Sequence, residues 1–372
     1  MSSATAIAGG LSRLEPRRSD QHPGWFARAR QAAFGWVTEH GFPTPKDEDW
    51  KYSRLAPILH GQFEPAAVGT GHRLSVGAID ELAGDLGGMR LVFVNGHFAR
   101  ELSSATDLAD GLEVTNLASL LVEEPGRLEP LMSSLQPSYP HAFVALNAAL
   151  AEDGAFIYLP ADTAVDVPIH LVFVSDTGGT PLVSSPRSFV LAGPGSQATI
   201  VETYAGRASD VHVTNAVTEV LLEEGASVEH YKVQDEVESS FHLGLLKVRQ
   251  ARTSKFSSSS VALGSSIARH EIRVSLDAEG AKVNLDGLYL PTRDQYHDNP
   301  ILVEHNAPRC TSRQLYKGVL DGRGQGVFNG RIVVRPGAMG TDAGQSNKNL
   351  LLSDHAEVDT RPRFEILADD VK

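Results

Sequence analysis

The sequence predicts a mainly β protein, a parallel β-helix (solenoid) preceded by an N-terminal α/β region with helices. Helical patterns are confined to about the first 155 residues, and alternating apolar segments follow one another from there onwards. A corner of small residues recurs at nearly constant spacing in that second part. Together these observations favour stacked turns of β-strand, because each turn buries its inward apolar row only against the turns above and below it.

The first part of the chain is predicted as a flexible N-terminus, residues 1–22, followed by a helical and mixed region, residues 23–155. In PGWFARARQAAFGWVTEH, residues 23–40, apolar side chains recur at helical spacing and form one broad face. Gly41 and Pro43 are expected to end this helix.

The next segment, PTPKDEDWKYSRLAPIL, residues 43–59, carries three consecutive acidic residues. Asp47, Glu48 and Asp49 are expected to open a short helix, whose positive end they complement. Trp50 and Arg54 are four residues apart, so the sequence predicts a stack between the indole and the guanidinium.

Three further elements are predicted before residue 155. In MRLVFVNGHFAREL, residues 89–102, two strands flank Asn95 and Gly96, the strongest short hairpin signal in the chain. TNLASLLVEE and HAFVALNAALAEDG, residues 115–124 and 141–154, have helical patterns, and Gly154 is expected to close the second helix.

The corner of small residues carries the solenoid prediction for residues 156–372. Corners that start at Gly195, Gly225, Thr253 and Gly280 are 30, 28 and 27 residues apart, and one at Gly337 lies 57 further on, about two more steps. An antiparallel sandwich with coincidental turn spacing is the alternative. It is less favoured because a sandwich of this length would use several two-residue hairpin loops of the Asn-Gly or Asp-Gly kind, and few candidates occur in this part, among them Asp286-Gly287 and Asp321-Gly322.

Size and charge limit the classes of protein and of partner. The 372 residues exceed the length at which one compact core usually keeps growing, so two or more domains or an elongated repeat are expected. Because 33 basic and 46 acidic side chains give a net charge of −13, neither nucleic acid nor an anionic membrane surface is an expected partner. No apolar run of about 18 residues and no leader pattern occurs, which predicts a soluble, cytoplasmic protein.

Metal and thiol chemistry have little support in the sequence. The single cysteine, Cys310, excludes an internal disulfide and cannot alone hold an iron–sulfur cluster or a thiolate zinc site. We interpret it as a small buried hydrophobe. The 14 histidines show no metal-ligand spacing, so we predict no metal site and no catalytic residue.

Three segments are weak candidates for chemistry. QYHDNPILVEHNAP, residues 295–308, gathers acidic, amide and histidine side chains suited to an acid–base or metal site, but solvated loop residues are the favoured interpretation. GRGQGVFNG, Gly322–Gly330, lacks the lysine of a phosphate-binding loop, and turn geometry explains it better. SKFSSSSVALGSS, residues 254–266, fits a polar β face or a recognition surface equally well. The candidates in the first segment are His297, Asp298, Asn299, Glu304 and His305.

A solenoid without a visible active site usually works through its surfaces, so a binding or scaffold protein is the leading class. The rival is a parallel β-helix enzyme acting on polysaccharide, in which Asp298 and Glu304 would be the acidic residues to test. Such enzymes are typically secreted, and no signal peptide supports one here.

Four segments closely resemble the SufD family, the β-helix subunits of the Suf iron–sulfur cluster assembly complex. They are residues 43–59 and LVFVNGHFARELS, FVALNAALAEDGAFIYLPADTAVDVPIHLVF and, above all, LYKGVLDGRGQGVFNGRIVVRPGAMGTDAGQSNKNLLLSDHAEVDTRPRFEILADDVK. The likeness covers about residues 42–372, and SNKNLLLSDHAEVDTRPRFEI favours SufD over the sister subunit SufB.

The resemblance implies an N-terminal helical region, a right-handed parallel β-helix and a C-terminal helical domain. It implies a non-catalytic scaffold that pairs with a SufB-like subunit through the β-helix and docks SufC, an ABC-type ATPase, through C-terminal helices. A transient iron–sulfur cluster and reduced flavin are implied for the whole complex, and no residue here is assigned to a flavin site.

The sequence departs from the family at Lys372. In the family, DDVK continues into a Cys-Ser-His-Gly-Ala-Thr segment with a histidine implicated in cluster assembly, and then into the SufC-docking helices. Neither is present, so that histidine is assigned to no position here, neither His305 nor His355. The last turns around Phe364 and Ile366 are therefore expected to be exposed on one side and to associate, as a homodimer in isolation or with a partner.

Overall fold

The computed structural model describes residues 10–17, 22–69, 74–104, 110–133, 139–207 and 211–372. Helices in these ranges are α1 (Gly24–His40), α2 (Ala56–His60), α3 (Val76–Ala83), α4 (Leu117–Glu123), α5 (Pro125–Ser133) and α6 (Ala142–Leu150), with 3-10 helices at Gly10–Arg13, Glu48–Trp50 and Arg100–Leu102. The strands of the first half are β1 (Glu64–Pro65), β2 (Met89–Val94), β3 (His97–Phe98), β4 (Glu113–Asn116), β5 (Ala155–Leu159), β6 (Ile169–Ser175), β7 (Leu182–Ser184), β8 (Arg187–Ala192), β9 (Gln197–Gly206) and β10 (His212–Leu222). The remaining strands are β11 (Ser227–Asp235), β12 (Phe241–Gln250), β13 (Lys255–Ala262), β14 (Ile267–Leu276), β15 (Lys282–Tyr289), β16 (Tyr296–His305), β17 (Thr311–Leu320), β18 (Gln325–Val334), β19 (Asp342–Leu351), β20 (Glu357–Thr360) and β21 (Arg363–Ile366).

Two long sheets form the body of the protein, and they confirm the solenoid. Sheet A has the order β4-β5-β8-β10-β12-β14-β16-β18-β20, with β21 also on β18, and sheet B has the order β3-β2-β6-β9-β11-β13-β15-β17-β19. From β8 to β19 successive strands alternate between the sheets, and every pairing among them is parallel. The chain therefore coils through about seven turns, and the antiparallel sandwich is excluded.

A column of left-handed residues runs down one corner of the solenoid. Its eight members have φ between 53° and 74°, and the backbone N–H of each, up to Arg309, donates to the carbonyl of the residue before the next member. The predicted corner at Gly337 is wrong, because the corner residue of that turn is Gly340 and the intermediate corner is Arg309. The members are Asp162, Gly195, Gly225, Thr253, Gly280, Arg309, Gly340 and Asp370.

The predicted hairpin is confirmed, and it starts sheet B. β2 pairs antiparallel with β3, and both Asn95 and Gly96 have positive φ, the geometry of a type I′ turn. β2 also pairs in parallel with β6. The stacked sheets therefore begin inside residues 23–155, before the strands of the predicted core.

The N-terminal helices cover the outer face of sheet A. α1 ends at Gly41, as predicted, and buried Arg30 joins it to the end of α6 by donating to the carbonyl of Ala149 at 2.7 Å. α6 ends at Leu150 and not at Gly154, because the backbone is extended from Ala151 onwards. The helical layer packs on Val217 and Leu245 of sheet A, among others, in one apolar cluster.

Part of the segment predicted as a flexible N-terminus is packed. Leu11 and Leu14 are buried in the cluster between the helices and sheet A, because their spacing places both on one side of a 3-10 turn. Residues 1–9 and 18–21 lie outside the described residues, and for them flexibility stays a prediction. Among the helices that the structure describes, none is long and apolar enough to cross a membrane.

Candidate functional site

The acidic and histidine candidates of residues 295–308 lie on strand β16 and not in a solvated loop. Side chains alternate between the two faces of a strand, so β16 separates them. His297, Asn299 and His305 are on the row with Ile301 and Val303, which pack in the solenoid core. Asp298 and Glu304 are on the opposite row, and these five residues therefore form no common site.

Each of these five side chains already has a partner. His297 lies 3.1 Å from the carbonyl of Gly264, Asn299 donates to the carbonyl of Val327 at 3.3 Å, and His305 lies 2.9 Å from Ser312 Oγ. Asp298 is paired with Arg269 and Glu304 with Arg335. These partners hold the strand in place and leave no acid–base pair.

The loop interpretation is wrong, because the segment is a strand that includes Pro300. Pairing between β14 and β16 is in fact interrupted opposite Asn299 and Pro300, where proline has no N–H to donate. On its other edge, however, β16 pairs with β18 along its whole length, so the strand continues through the proline.

The glycine-rich segment Gly322–Gly330 is a turn followed by the first part of strand β18. The turn interpretation is therefore correct for the start of the segment only. Gly322 has φ 60° in the turn. Gly326 and Gly330 lie in the strand, where a Cβ would come within 2.6 Å of Tyr289 and 2.3 Å of Gln345. These two glycines make room for large inward side chains and do not cradle a phosphate.

The remaining sequence candidates are structural. Cys310 is fully buried, with Sγ 3.3 Å from the carbonyl of Ala278, which confirms its interpretation as a buried hydrophobe. The serine run forms strand β13, in which Ser258 and Ser260 are buried while Ser257 and Ser259 are half-buried on the outer face of sheet B. Among the described residues there is no group of three metal-ligating side chains suited to a metal ion.

A cleft of about 360 Å³ opens between the N-terminal region and sheet A. At its inner end the guanidinium of Arg269 lies 3.7 Å from the centre of the Trp50 ring and is paired with Glu271 and Asp298. The predicted Trp50–Arg54 stack is therefore wrong, because the arginine on Trp50 comes from β14, more than 200 residues away in the chain. His141 also contacts Glu271, at 3.0 Å, and Glu271 and Asp298 are both paired with arginine.

At the outer end of the cleft, ion pairs connect the N-terminal region to the segment that contains the last strands. Glu48, at the start of the predicted short helix, is paired with Arg361, and Asp49 lies 3.3 Å from Arg363. The hydrogen bond from Arg361 lowers the pKa of the Glu48 carboxyl, so this ion pair persists at neutral pH. These pairs are largely exposed, and each contributes little to folding by itself.

Strands β19, β20 and β21, which we call the final rung, have an exposed apolar surface. β19 pairs only with β17, and β20 and β21 pair only with β18, among the strands that the structure describes. The N–H of Ala343, at the start of β19, donates to the carbonyl of Lys372 at 2.9 Å. Beyond that point such an edge has unpaired backbone groups that a further strand can use. Leu352 and Ile366 are 58% and 51% exposed, and the expected exposure of Phe364 and Ile366 is confirmed. The exposed apolar residues at this end are Met339, Leu350, Leu351, Leu352, Phe364, Ile366 and Leu367.

The inward row of β19 is polar. Tyr289 Oη donates to Asn349 Oδ1 at 2.5 Å, and Asn347 donates to Tyr289 Oη at 3.2 Å. Gly318 gives these groups space, since a Cβ there would lie 2.5 Å from both Asn349 and Tyr289. The end of the solenoid thus has a hydrogen-bonded polar row on β19 beside the exposed apolar side chains Phe364 and Ile366, which continue the core row of Ile332 and Val334 on β18, an arrangement suited to another protein chain.

Comparisons with known proteins match nearly the whole chain. Residues 19–171 match the family described as SufBD protein N-terminal region. Residues 173–372 match the family described as SUF system FeS cluster assembly, SufBD core domain. The boundary between the two matches lies within β6.

Similar proteins are found in bacteria and in a plant. The iron–sulfur cluster assembly protein SufD of Escherichia coli is 30% identical over 334 residues, which cover 89% of this chain and 75% of that protein. A protein of Synechocystis named as an iron–sulfur cluster assembly SufBD family protein is 29% identical, with 92% and 77% covered. The chloroplastic protein ABCI7 of Arabidopsis thaliana is 30% identical, with 93% and 73% covered.

Proposed function

Because the chain belongs to the SufBD family of iron–sulfur cluster assembly proteins, we propose that it is a SufD-type scaffold subunit in the cytoplasm that pairs with a SufB-like subunit. A role in iron–sulfur cluster assembly follows from the family and from the SufD relatives. The cluster is the cargo of such a complex, and in this proposal it is built where the two subunits meet.

The final rung carries this proposal. Its apolar surface lies directly beside unpaired strand edges, so a second β-solenoid can add its own strands there and bury the same side chains. A SufB-like subunit is the occupant that we propose, because a partner with stacked β-strands of its own has an edge and an apolar end of the same kind to offer.

A scaffold role is also supported by the state of the acidic side chains. Asp298, Glu271 and Glu304 each have an arginine partner, so none is held ready as a general acid or nucleophile. No observation favours the polysaccharide enzyme. A SufC-like ABC-type ATPase and reduced flavin belong to the same proposed complex, on the strength of the family resemblance alone.

The proposal is tested by co-expression of the full chain with a SufB-like protein, followed by size-exclusion chromatography with light scattering. We expect a one-to-one complex. Ile366→Arg places a charge in the apolar surface and should weaken the complex at least tenfold, because its burial without a partner is unfavourable. Val122→Arg is the matched control, since Val122 is also more than half exposed, at 64% against 51% for Ile366, and lies on α4, far from the final rung in sequence and in a different layer.

Two outcomes would contradict the interface. One is a complex that survives Ile366→Arg unchanged, and the other is no complex with the SufB-like protein under any condition. A chain that only pairs with a second copy of itself would assign the final rung to a homodimer and reject the proposed partner.

A further inference from the structure

A cluster of ionisable side chains lies inside the solenoid, where an apolar core is expected. Glu202, Lys232 and Glu236 are each at least 95% buried, and His230 and His242 are as deeply buried. Removing charges from water costs several kcal/mol per ion unless they are paired and hydrogen-bonded. The cluster lies between β9, β11, β12 and β14 and is separate from the final rung and from the cleft.

Three members of the cluster form a continuous hydrogen-bonded chain. Lys232 Nζ lies 2.9 Å from His242 Nε2, and His242 Nδ1 lies 2.8 Å from Glu236 Oε2. An ammonium group can only donate, so Nε2 of His242 accepts and its Nδ1 carries the hydrogen that is donated to Glu236. The other oxygen of Glu236 accepts from Thr214 at 2.5 Å and lies 3.2 Å from His212.

The backbone leaves space for this chain at one position. A Cβ on Gly244 would lie 2.6 Å from Lys232 Nζ and 2.9 Å from His242 Nε2. Any other residue there would displace the lysine ammonium, the histidine ring or both from these positions. Tyr204 supports the ammonium from a second side, with its ring centre 4.8 Å from Nζ.

A void of about 10 Å³ adjoins this chain on the side of β14 and β16. Three side chains on its wall, Gln234, His270 and His297, have a buried atom without a hydrogen-bond partner among the described residues: Oε1, Nε2 and Nδ1 respectively. A void of this size holds one water molecule, provided that two to four polar groups surround it. The orphaned atoms supply three.

We propose that one water molecule binds in this void and completes a buried proton-exchange site, in which Glu236, His242 and Lys232 exchange a proton with the water held by Gln234, His270 and His297. The step along the chain conserves protons and charge. The Lys232 ammonium gives a proton to Nε2 of His242, and Nδ1 of the same ring gives its proton to Glu236. The lysine becomes a neutral amine and Glu236 a neutral acid, with no redox change. This state is transient, because burial raises the pKa of Glu236 but the contacts with His242 and His212 outweigh it and hold that pKa well below its usual value.

The environment makes the lysine proton labile. Burial lowers the pKa of Lys232 to about 8, while the nearby carboxylates of Glu202 and Glu236 act in the opposite direction. Its ammonium is therefore close to losing a proton in the neutral range. The charged and titratable groups that face Lys232 are Glu202 and Tyr204 from β9, His230 on its own strand, Glu236 after it, His242 from β12, His270 from β14 and His297 from β16.

A high-resolution crystal structure of the wild-type chain at neutral pH tests the water site. We expect one water oxygen within about 3.2 Å of Gln234 Oε1, His270 Nε2 and His297 Nδ1. An empty void, or direct hydrogen bonds among these three atoms, would overturn the proposal.

Nitrogen NMR of the histidine rings tests the exchange chain. In the wild-type chain His242 should be the Nδ1–H tautomer, and an Nε2–H tautomer would sink the idea without any variant. Lys232→Met should raise the midpoint of His242 titration by about one pH unit, because a cation that opposes its protonation is removed. Lys255→Met, on the exposed face of neighbouring β13, is the control and should leave that midpoint unchanged.

A second pair of variants separates the effect of the contact between Lys232 and His242 from the effect of the lysine charge. Gly244→Ala keeps every titrating group and forces Lys232 and His242 apart, so the His242 midpoint should move in the same direction as in Lys232→Met. Gly35→Ala is the matched control, because a Cβ there meets nothing within 4 Å. If neither Lys232→Met nor Gly244→Ala changes the midpoint of His242 titration, no proton is shared along the chain of hydrogen bonds.

Discussion

At the scale of single residues, one buried ion pair joins the helical layer to sheet A. Arg187 and Glu219 are 1% and 3% exposed, and their side chains lie 2.5 Å apart. Arg187 also donates to Asn147 of α6 at 3.1 Å. We predict that Glu219→Gln lowers the free energy of unfolding by about 3–5 kcal/mol, because it leaves a buried guanidinium without its counter-charge. Equilibrium urea unfolding measures this loss.

The control for that prediction is an exposed pair of the same chemistry. Glu224 lies 3.0 Å from Arg252, and more than half of each side chain is exposed. Glu224→Gln should change the free energy of unfolding by less than about 1 kcal/mol, since water screens the pair. Equal losses in the two variants would mean that burial does not set the strength of the Arg187 pair.

Buried histidines make the stability depend on pH. Burial lowers the pKa of His170, His297 and His305 to about 4 each, against about 6.5 in the unfolded chain. Between these values the unfolded chain binds more protons than the folded one, so the free energy of unfolding falls as the pH decreases from about 6.5 to 4. Urea unfolding at pH 7 and pH 5 should show this loss.

A single variant identifies the source of that pH dependence. His305→Gln keeps a hydrogen-bonding group near Ser312 and removes one titrating ring. The loss of stability between pH 7 and pH 5 should be smaller in this variant than in the wild type. An unchanged slope would assign the effect to other groups.

At the scale of elements, the corner column shows which turns are strained. Two of the four non-glycine members, Asp162 and Asp370, are residues that tolerate a left-handed backbone, whereas Thr253 is β-branched and has φ 54°. Thr253→Gly should therefore raise the free energy of unfolding by roughly 0.5–1 kcal/mol, after the entropic cost of glycine is subtracted from the relieved strain. Thr199→Gly in the extended strand β9 is the control and should lower it. A loss of stability in both variants would reject strain at the corner.

The same elements show what a sequence can and cannot predict. Asn95-Gly96 and α1 follow from local chemistry, namely a turn that needs two positive φ angles and an apolar face of helical period. The corner at Arg309 has no signal in the sequence, because arginine has no preference for a left-handed backbone. The turn after Arg309 is also two residues longer than the turn before it, which breaks the spacing of the corners. The exposure of Phe364 and Ile366 was predicted from the resemblance to the SufD family and not from a pattern of these residues themselves.

The buried cluster was beyond local prediction for a topological reason. Lys232 and His242 lie on facing sheets. His270 belongs to the turn after that of His242, and His297 to the turn after that, so only the stacking of turns brings these residues together. A sequence shows that these residues are polar and lie in strands, and the register of the turns decides which of them meet. The Trp50 stack on Arg269 was missed in the same way.

At the scale of the whole molecule, a solenoid is stabilised mainly by contacts between neighbouring turns. Central strands such as β12 and β14 have a paired strand on each side, whereas β19 has one. Hydrogen exchange should therefore be slowest in the central turns and faster in the final rung, because a terminal turn opens locally at a lower cost than the whole fold. Mass spectrometry of peptides from residues 241–250 and 342–351 compares the two regions directly.

Binding of a SufB-like subunit should change this gradient in one place. If the partner adds strands to the final rung, hydrogen exchange in residues 342–351 and 363–366 becomes slower. The size of this effect depends on the affinity and the concentration of the partner. Exchange in peptides of α4 and α5 should not change. Ile366→Arg should remove the added protection and leave the exchange of β12 as it was. Protection that appears first over the helices, with the final rung still exchanging freely, would place the partner on the N-terminal layer and refute docking at the end of the solenoid.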